Sequence, residues 1–427
     1  MSAARVRVAS SALLSQVLDQ RQTLDDALAQ NEQFDRLQGS DRGLARAIVS
    51  AVLRHLGQID RLASRHLTGR NFGELDRQVQ HLLRIGVAQI CVLKTPPHAA
   101  VSETVDAARA FEEARRAGGL INAVLRKLEP ESLADLNFPA ISAWPKGFQA
   151  LMRESLGEKA AMIATAMQET PPLDITVKSN VDGWAEKLEG QVIGPSSVRL
   201  RSGVVDSLPG YDDGEWWVQD VAATLPVQLL GPKQGEAMLD LCAAPGGKTL
   251  QIAATGARTT AIDRSAKRLK RVEANLERTG LSATCQAADA TKWDSPVLYD
   301  GVLVDAPCSA LGTLRRHPEG PWIKAPEDLA RFPDIQSRLL ASAAKRVKPG
   351  GRLVYCVCTP LPREGVEIVD AFLSRHDGWA RDLQVTDLPA AFSKAYTEQG
   401  DCLTMPPLLE ESGGCDVFFI ARLRRTS

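Results

Sequence analysis

The sequence predicts an α/β protein with an all-α block at its N-terminus, and three observations carry that prediction. Residues 5–128 place apolar side chains at helical spacing with almost no strand signal. Residues 129–145 lose all periodicity. From about residue 236, short apolar strands alternate with helical patterns, the order of a doubly wound, Rossmann-like domain. A chain of 427 residues is long for one core. The predicted division is a helical domain over 1–128, a linker over 129–145, a small α+β subdomain over 146–235 and the Rossmann-like domain over 236–427.

Along the chain, Val8, Ala9, Leu13, Leu14, Val17 and Leu18 form a first helical stripe, Leu44, Ile48, Val52 and Leu53 a second, and Val79, Leu82, Leu83, Val87 and Ile90 a third. Their simplest reading is one shared helical core. The last helix of the block starts in Gly118-Gly-Leu-Ile-Asn122-Ala-Val-Leu-Arg126-Lys127. The three prolines of 129–145 suit a linker. Helical patterns over 147–168 precede a β-branched run at 171–180 that predicts a strand, and Val198-Arg-Leu-Arg201 predicts another. Strands at 237–242, 259–262, 283–286, 301–304 and 352–356 then alternate with helices at 247–255, 265–279 and 334–347, which predicts a parallel sheet. Val417-Phe-Phe-Ile-Ala-Arg-Leu423 reads as a final strand.

The polar residues that carry chemistry fall just beyond those strands, where an open parallel sheet collects its ligands. Met238-Leu-Asp240-Leu-Cys242-Ala243-Ala244-Pro245-Gly246-Gly247-Lys248-Thr249 is a strand, a tight turn and a helix start. Its glycines let backbone approach a ligand, and the helix N-terminus offers free N–H groups. Gly247-Lys248-Thr249 also matches the end of a nucleoside-triphosphate loop, but the first glycine of that loop would fall at Cys242. Asp263 ends the next strand and Asp289 follows a third. The first can accept hydrogen bonds from ribose hydroxyls, the second from an adenine amino group. A lone aspartate is more often a cap or turn residue; recurrence after successive strands favours ligand binding. Arg268 is grouped with them.

Two further strand ends carry thiols, in Asp305-Ala-Pro-Cys308-Ser and in Tyr355-Cys356-Val-Cys358-Thr359-Pro360. Each cysteine alone reads as a small buried residue. Two thiols and a carboxylate facing one cleft instead fit covalent catalysis on a planar heterocycle. Cys356, alternating with Val357, reads as packing.

Composition narrows the classes. Hydrophobic residues at 44% and charged residues at 24% exclude a disordered or fibrous chain. With no signal peptide and no apolar run near membrane-spanning length, the expectation is a soluble cytoplasmic protein that meets no membrane. The eight cysteines contain no C-x-x-C pair, so neither a zinc ribbon nor a thioredoxin-like motif is indicated and no metal is expected. A net charge of −1 decides nothing about nucleic acid, although residues 1–130 hold 18 Lys+Arg against 14 Asp+Glu, a local +4. Most such charges are solvated surface.

Taken together, Cys242-Ala-Ala-Pro-Gly-Gly-Lys248-Thr, Asp305-Ala-Pro-Cys308-Ser, Tyr355-Cys-Val-Cys358-Thr and Trp217-Val-Gln219-Asp220 resemble the RsmB-type (Fmu/Sun) ribosomal RNA cytosine-C5 methyltransferases of the RNA m5C methyltransferase (NOL/NOP/Sun) family. Asn122-Ala-Val-Leu-Arg126 is similar to the NusB-type helical domain of that subgroup, so the resemblance spans nearly the whole chain. It implies a NusB-like RNA-binding domain over 1–128 and a class I methyltransferase domain over 236–427. The implied cofactor is S-adenosyl-L-methionine, bound by Cys242, Ala243, Ala244, Pro245, Gly246, Gly247, Lys248, Asp263, Arg268, Asp289 and Asp305. The implied partner is RNA, specifically 16S ribosomal RNA, acted on by a monomer.

For the chemistry, the resemblance implies that Cys358 attacks carbon 6 of cytosine, that Asp305 bonds the N3 side of the base, and that Cys308 assists release. A cation or helix N-terminus is expected near Cys358, with Lys248 as a candidate for substrate contact or charge balance. RNA grip is expected from the helical domain and Arg315-Arg316-His317. The chain departs from the family pattern at Val357-Cys358-Thr359, at Gly365 after Glu364, and at Cys415-Asp416-Val417. Other readings stay open: methylation of a tRNA or large-subunit RNA, an RNA-binding protein with a degenerate site, and a phosphate-loop hydrolase.

Overall fold

The computed structural model of the protein describes residues 2–201 and 203–426. The chain folds into two compact units, Met1–Glu169 with Leu314–Asp328, and Thr170–Thr313 with Leu329–Ser427.

The first unit is helical. Helices Ser2–Leu14, Gly39–Arg65, Arg77–Val87, Pro97–Ala108 and Gly118–Leu125 turn their apolar stripes onto one core in which Leu13, Ile48, Val52, Leu82 and Ile90 are fully buried. Burying one such side chain contributes about 1.5–3 kcal/mol, so packing rather than propensity holds these helices. Buried polar groups are paired across the core: Arg84 makes two 2.8 Å bonds to Asp60, and Arg7 bonds Gln89 and Glu103.

Within residues 129–145, expected to be a linker, the final stretch is packed. Ile141, Ala143 and Trp144 are buried, and a β-carbon on Gly57 of the long helix would lie 2.3 Å from the Ser142 carbonyl oxygen. Helices Lys146–Leu156 and Lys159–Gln168 also belong to this compact unit, whose first segment ends at Glu169.

Residues 314–328 join it as well, although they lie within the sequence of the Rossmann-like domain. The Leu24 N–H donates to Glu319 Oε1 at 3.2 Å, Arg54 Nη2 donates to the Arg315 carbonyl at 2.8 Å, and Trp322 and Ile323 pack on the helical core. Arg315 is therefore 1% exposed. A guanidinium buried to that degree does not grip RNA in this conformation, which corrects that expectation for Arg315.

The second unit carries two sheets. Strands β1 (Leu173–Val177), β2 (Gln191–Gly194), β3 (Ser197–Leu200) and β4 (Trp216–Val218) form an antiparallel sheet in the order β2-β3-β1-β4. A buried two-bond ion pair, Arg199 to Asp174 at 2.7 and 2.8 Å, ties its middle strands. Helix Val221–Leu230, capped by Asp220, leads to the larger sheet.

That sheet contains β5 (Ala237–Leu241), β6 (Arg258–Asp263), β7 (Thr284–Ala287), β8 (Tyr299–Asp305), β9 (Val347–Val357), β10 (Trp379–Arg381), β11 (Cys402–Leu403) and β12 (Phe419–Arg425). Its order is β10-β12-β9-β8-β5-β6-β7, with β11 also on β12. Strands β9, β8, β5, β6 and β7 run parallel, and the central β5 and β8 are buried on both faces, as covering helices require. The predicted final strand is present, but β12 runs antiparallel to β9, so the sheet is mixed rather than wholly parallel. Chain order reverses at β5, which lies between β6 and β8. Such a switch point opens a crevice at the strand carboxyl ends.

Among the described residues, no helix is long and apolar enough to cross a membrane.

Candidate active site

At the end of β5 the chain turns through Cys242 at φ 64 and Gly246 at φ 112, and helix Gly247–Ala253 begins. Gly246 needs to be glycine for two reasons. Its φ is left-handed, and a β-carbon there would sit 3.2–3.4 Å from Val272 on helix Ala266–Thr279. Cys242, carrying a side chain at a left-handed φ, occupies the position where a phosphate loop would need its first glycine.

The next two strands deliver the acids. Asp263, 2% exposed at the end of β6, accepts the Ala244 N–H at 3.2 Å and the Ser265 N–H at 2.9 Å, so it organises the turn it faces. Arg268 lies 3.6 Å from Asp263 and bonds the Ala244 carbonyl. Asp289, exposed beyond β7, accepts from the Thr291 N–H and hydroxyl, which lower its pKa.

β8 and β9 lie side by side with Asp305 opposite Cys356. Asp305 receives Lys248 Nζ on Oδ2 at 2.8 Å and the Cys356 thiol on Oδ1 at 3.5 Å. Lys248 is 9% exposed and lies 5.1 Å from the Phe418 ring centroid. Burial opposes its charge, but Asp305 outweighs that cost, helped by Cys356 and Cys358, and the ammonium is held on at all accessible pH. This lysine is a cation near enough to Cys358 for the two to interact electrostatically.

The two thiols come together. Cys308 Sγ and Cys358 Sγ are 3.4 Å apart, and all eight cysteines are free. Hydrogen bonding to Cys358, then burial, pushes the Cys308 thiol well up, which keeps it protonated and able to donate to Cys358. Cys356 is buried and packs as its alternation predicts, but it also bonds Asp305, a contact the strand pattern does not reveal.

The departures from the family pattern have physical counterparts. Gly365 lies against Phe419, where a β-carbon would come 2.8 Å from the ring. Val417 donates its N–H to the Gly312 carbonyl at 3.0 Å, while the Gly312 N–H bonds the Cys358 carbonyl at 2.9 Å. That chain of bonds ties the start of the last strand to the Cys358 loop.

The donor set fits S-adenosylmethionine. Asp240, Asp263 and Asp305 lie near enough to interact with Lys248 and Arg268 beside them, and burial pushes the fully buried Asp240 carboxyl up to about 7, with Asp305 and Asp263 adding to the rise. An acidic well of this kind suits a ligand with ribose hydroxyls, an amine and a sulfonium charge. The lysine bound to Asp305 is not free to hold phosphate, which disfavours the hydrolase. Among the described residues, no cluster of three or more His, Cys, Asp or Glu is arranged for a metal.

Comparison with known proteins shows the family. A family model for the 16S rRNA methyltransferase RsmB/F matches residues 227–424, and the NusB family model matches residues 4–130. Ribosomal RNA small subunit methyltransferase B of Salmonella arizonae is 34% identical over 421 residues, covering 93% of this chain and 96% of that protein. Among solved structures, PH0851 superposes with a TM-score of 0.76 at 22% identity over 99% of this chain and 98% of its own. NSun6 from Pyrococcus horikoshii with SFG does so at 0.58 and 19% identity over 66% of this chain and 98% of its own. At those identities the two structures speak to the fold alone.

Proposed function

The chain belongs to the RsmB/F family of 16S rRNA methyltransferases, and from that premise we propose that it methylates carbon 5 of a cytosine in small-subunit ribosomal RNA through a covalent Cys358 adduct. The observation that carries the proposal is the 3.4 Å approach of Cys308 and Cys358 beside the Asp305–Lys248 pair.

S-adenosylmethionine supplies an electrophilic methyl group, and the residues that would hold it are the Cys242–Lys248 turn, Asp263, Arg268 and Asp289, with Asp305 at the edge. Carbon 5 of cytosine is a poor nucleophile. Addition of Cys358 Sγ at carbon 6 converts the ring to an enamine and makes carbon 5 electron-rich. As sulfur adds at carbon 6, N3 takes up a proton, balancing the one the Cys358 sulfur gives up, so the enamine is neutral and Asp305 accepts the hydrogen bond of that N3–H. A carboxylate has about four lone-pair positions, so Asp305 keeps capacity beyond Lys248 and Cys356. After methylation the carbon 5 proton passes to solvent water, its bonding pair re-forms the carbon 5–carbon 6 double bond, the carbon 6–sulfur pair leaves with Cys358, and the N3 proton is given back as sulfur departs. Cys308, kept protonated, donates to the departing Cys358 thiolate and eases that step.

The target base has to be unstacked for attack on its face, which favours a single-stranded or opened segment. The helical domain is read as the RNA-binding part, acting as a monomer in the cytoplasm. Mapping 5-methylcytosine in total RNA from cells with and without the protein tests the substrate. Loss confined to a small-subunit position supports it; loss in tRNA or large-subunit RNA selects the other substrate.

Asp263→Ala tests the cofactor site. Loss of one charge-assisted bond costs about 1.5–3 kcal/mol, so S-adenosylhomocysteine affinity should fall at least about tenfold by calorimetry. The loss should be larger still because Asp263 also anchors Ala244 N–H. Unchanged affinity would remove Asp263 from the site.

A further inference from the structure

Cys308 is flanked by two peptide groups that a single buried side-chain pair holds. Gln336, fully buried on helix Phe332–Ala344, donates from its amide nitrogen to the Pro307 carbonyl at 3.0 Å and to Glu364 Oε2 at 3.1 Å. The same Glu364 oxygen accepts the Ser309 N–H at 2.8 Å. The residues before and after Cys308 are thus tied to one amide–carboxylate unit. Glu364 is itself anchored, because its carbonyl accepts the Tyr355 hydroxyl at 2.6 Å on the strand that leads to Cys358. A second tie, Ser309 Oγ to Thr359 Oγ1 at 2.8 Å, joins the residue after Cys308 to the residue after Cys358.

This arrangement is expensive for packing alone. Glu364 and Gln336 are both fully buried, and Glu364 Oε1 and Gln336 Oε1 have no hydrogen-bond partner among the described residues. Burying a carboxylate with an unsatisfied oxygen costs several kcal/mol, and an apolar pair of similar volume would fill the space more stably. What an apolar pair could not do is grip a carbonyl on one side of Cys308 and an N–H on the other. Small errors there are costly, since a displacement of about 1 Å in a catalytic group can cost about 100-fold in rate.

We propose that Gln336 and Glu364 are positioning residues for the release step, fixing the Cys308 loop so that its thiol stays aimed at the Cys358 sulfur. The inference rests on the covalent reading given under Proposed function. Glu364 also adds negative charge near Cys308, a smaller influence on that thiol than the bond to Cys358 or burial. Reach and charge can be separated. Glu364→Gln keeps the length and an acceptor oxygen while losing the charge; Glu364→Asp keeps the charge but is too short to hold Ser309 and Gln336 together.

The experiment follows formation and decay of the protein–RNA adduct on denaturing gels with unmodified ribosomal RNA and S-adenosylmethionine. Cys308→Ala serves as the reference, and S-adenosylhomocysteine binding checks folding. Positioning predicts that Glu364→Asp and the near-isosteric Gln336→Met form adduct normally but release it about tenfold or more slowly, and that Glu364→Gln releases it at nearly the wild-type rate. If Gln336→Met fails to fold, the Asp and Gln variants of Glu364 still decide. Slow release in Glu364→Gln with normal release in Glu364→Asp would overturn positioning in favour of charge, and wild-type release in all three would overturn the bracket altogether. Loss of adduct formation with S-adenosylhomocysteine binding intact would also overturn it, because the pair would then shape the whole site. Wild-type methylation with no adduct from Cys308→Ala would remove the release step itself, and the bracket's role with it.

Discussion

Cys358→Ala should give neither methylated RNA nor a covalent RNA complex, whereas Cys308→Ala should accumulate a complex that survives denaturing electrophoresis. The sulfurs are only 3.4 Å apart, so position does not separate their roles. Protonation does. Cys308 is held as a thiol by its bond to Cys358 and by burial, which suits a donor and not an attacking group. Cys358 lies near enough to the buried Lys248 ammonium for the two to interact electrostatically. Deleting the nucleophile removes the covalent path, and turnover should fall ~10⁴-fold or more. Deleting the donor leaves addition and methylation open but slows expulsion of Cys358, so the intermediate builds up. Two merely packed cysteines would cost ~1–3 kcal/mol each in stability and give no adduct from either variant. Quantifying adduct and product for both variants decides: an adduct from Cys358→Ala but not from Cys308→Ala would reverse the roles, and full activity in both would end the covalent mechanism.

What the sequence makes legible here, and what it hides, divides along a physical line. Strand-end residues are legible because period and position suffice: Asp263, Asp305 and Cys358 follow apolar runs that became β6, β8 and β9 within a few residues of expectation. The Gly246-Gly247 turn is legible for the same local reason. Contacts made across elements are not. Gln336 lies on a helix outside every motif, and nothing local says that it reaches Pro307 and Glu364. The short strands β10 and β11 owe their pairing to β12, since two or three residues carry too little periodicity to announce a strand. Residues 314–328 lie in sequence within the Rossmann-like domain, yet Trp322 and Ile323 pack on the N-terminal helical core, a destination set by tertiary burial. The same burial explains why Arg315, basic and loop-borne in sequence, is not a surface cation.

Asp305→Asn should lower the rate of adduct formation ~10²–10³-fold, the range for removing one charged group that stabilises a transition state. It should also destabilise the protein, and the second effect comes from Lys248. That ammonium is nearly buried and stays charged because Asp305 sits 2.8 Å away, outweighing the cost of burial. With a neutral amide in its place the lysine is an uncompensated buried charge, a loss of about 3–5 kcal/mol in favourable geometry and less here because Asp305 is only half-buried. The sign for Lys248 follows: its pKa falls without Asp305, so part of the lost stability should return as pH rises and the lysine deprotonates. Lys248→Met removes the cation instead, leaving Asp305 to hold the base while withdrawing a charge that interacts with Cys358. The double variant Asp305→Asn/Lys248→Met should therefore be more stable than Asp305→Asn alone but no more active than either single variant. Melting temperatures from pH 6 to 9 and single-turnover adduct rates for the three proteins give both halves of the cycle. Stability losses that simply add would show that the pair does not act as a unit, and an Asp305→Asn protein with wild-type adduct formation would remove Asp305 from the chemistry.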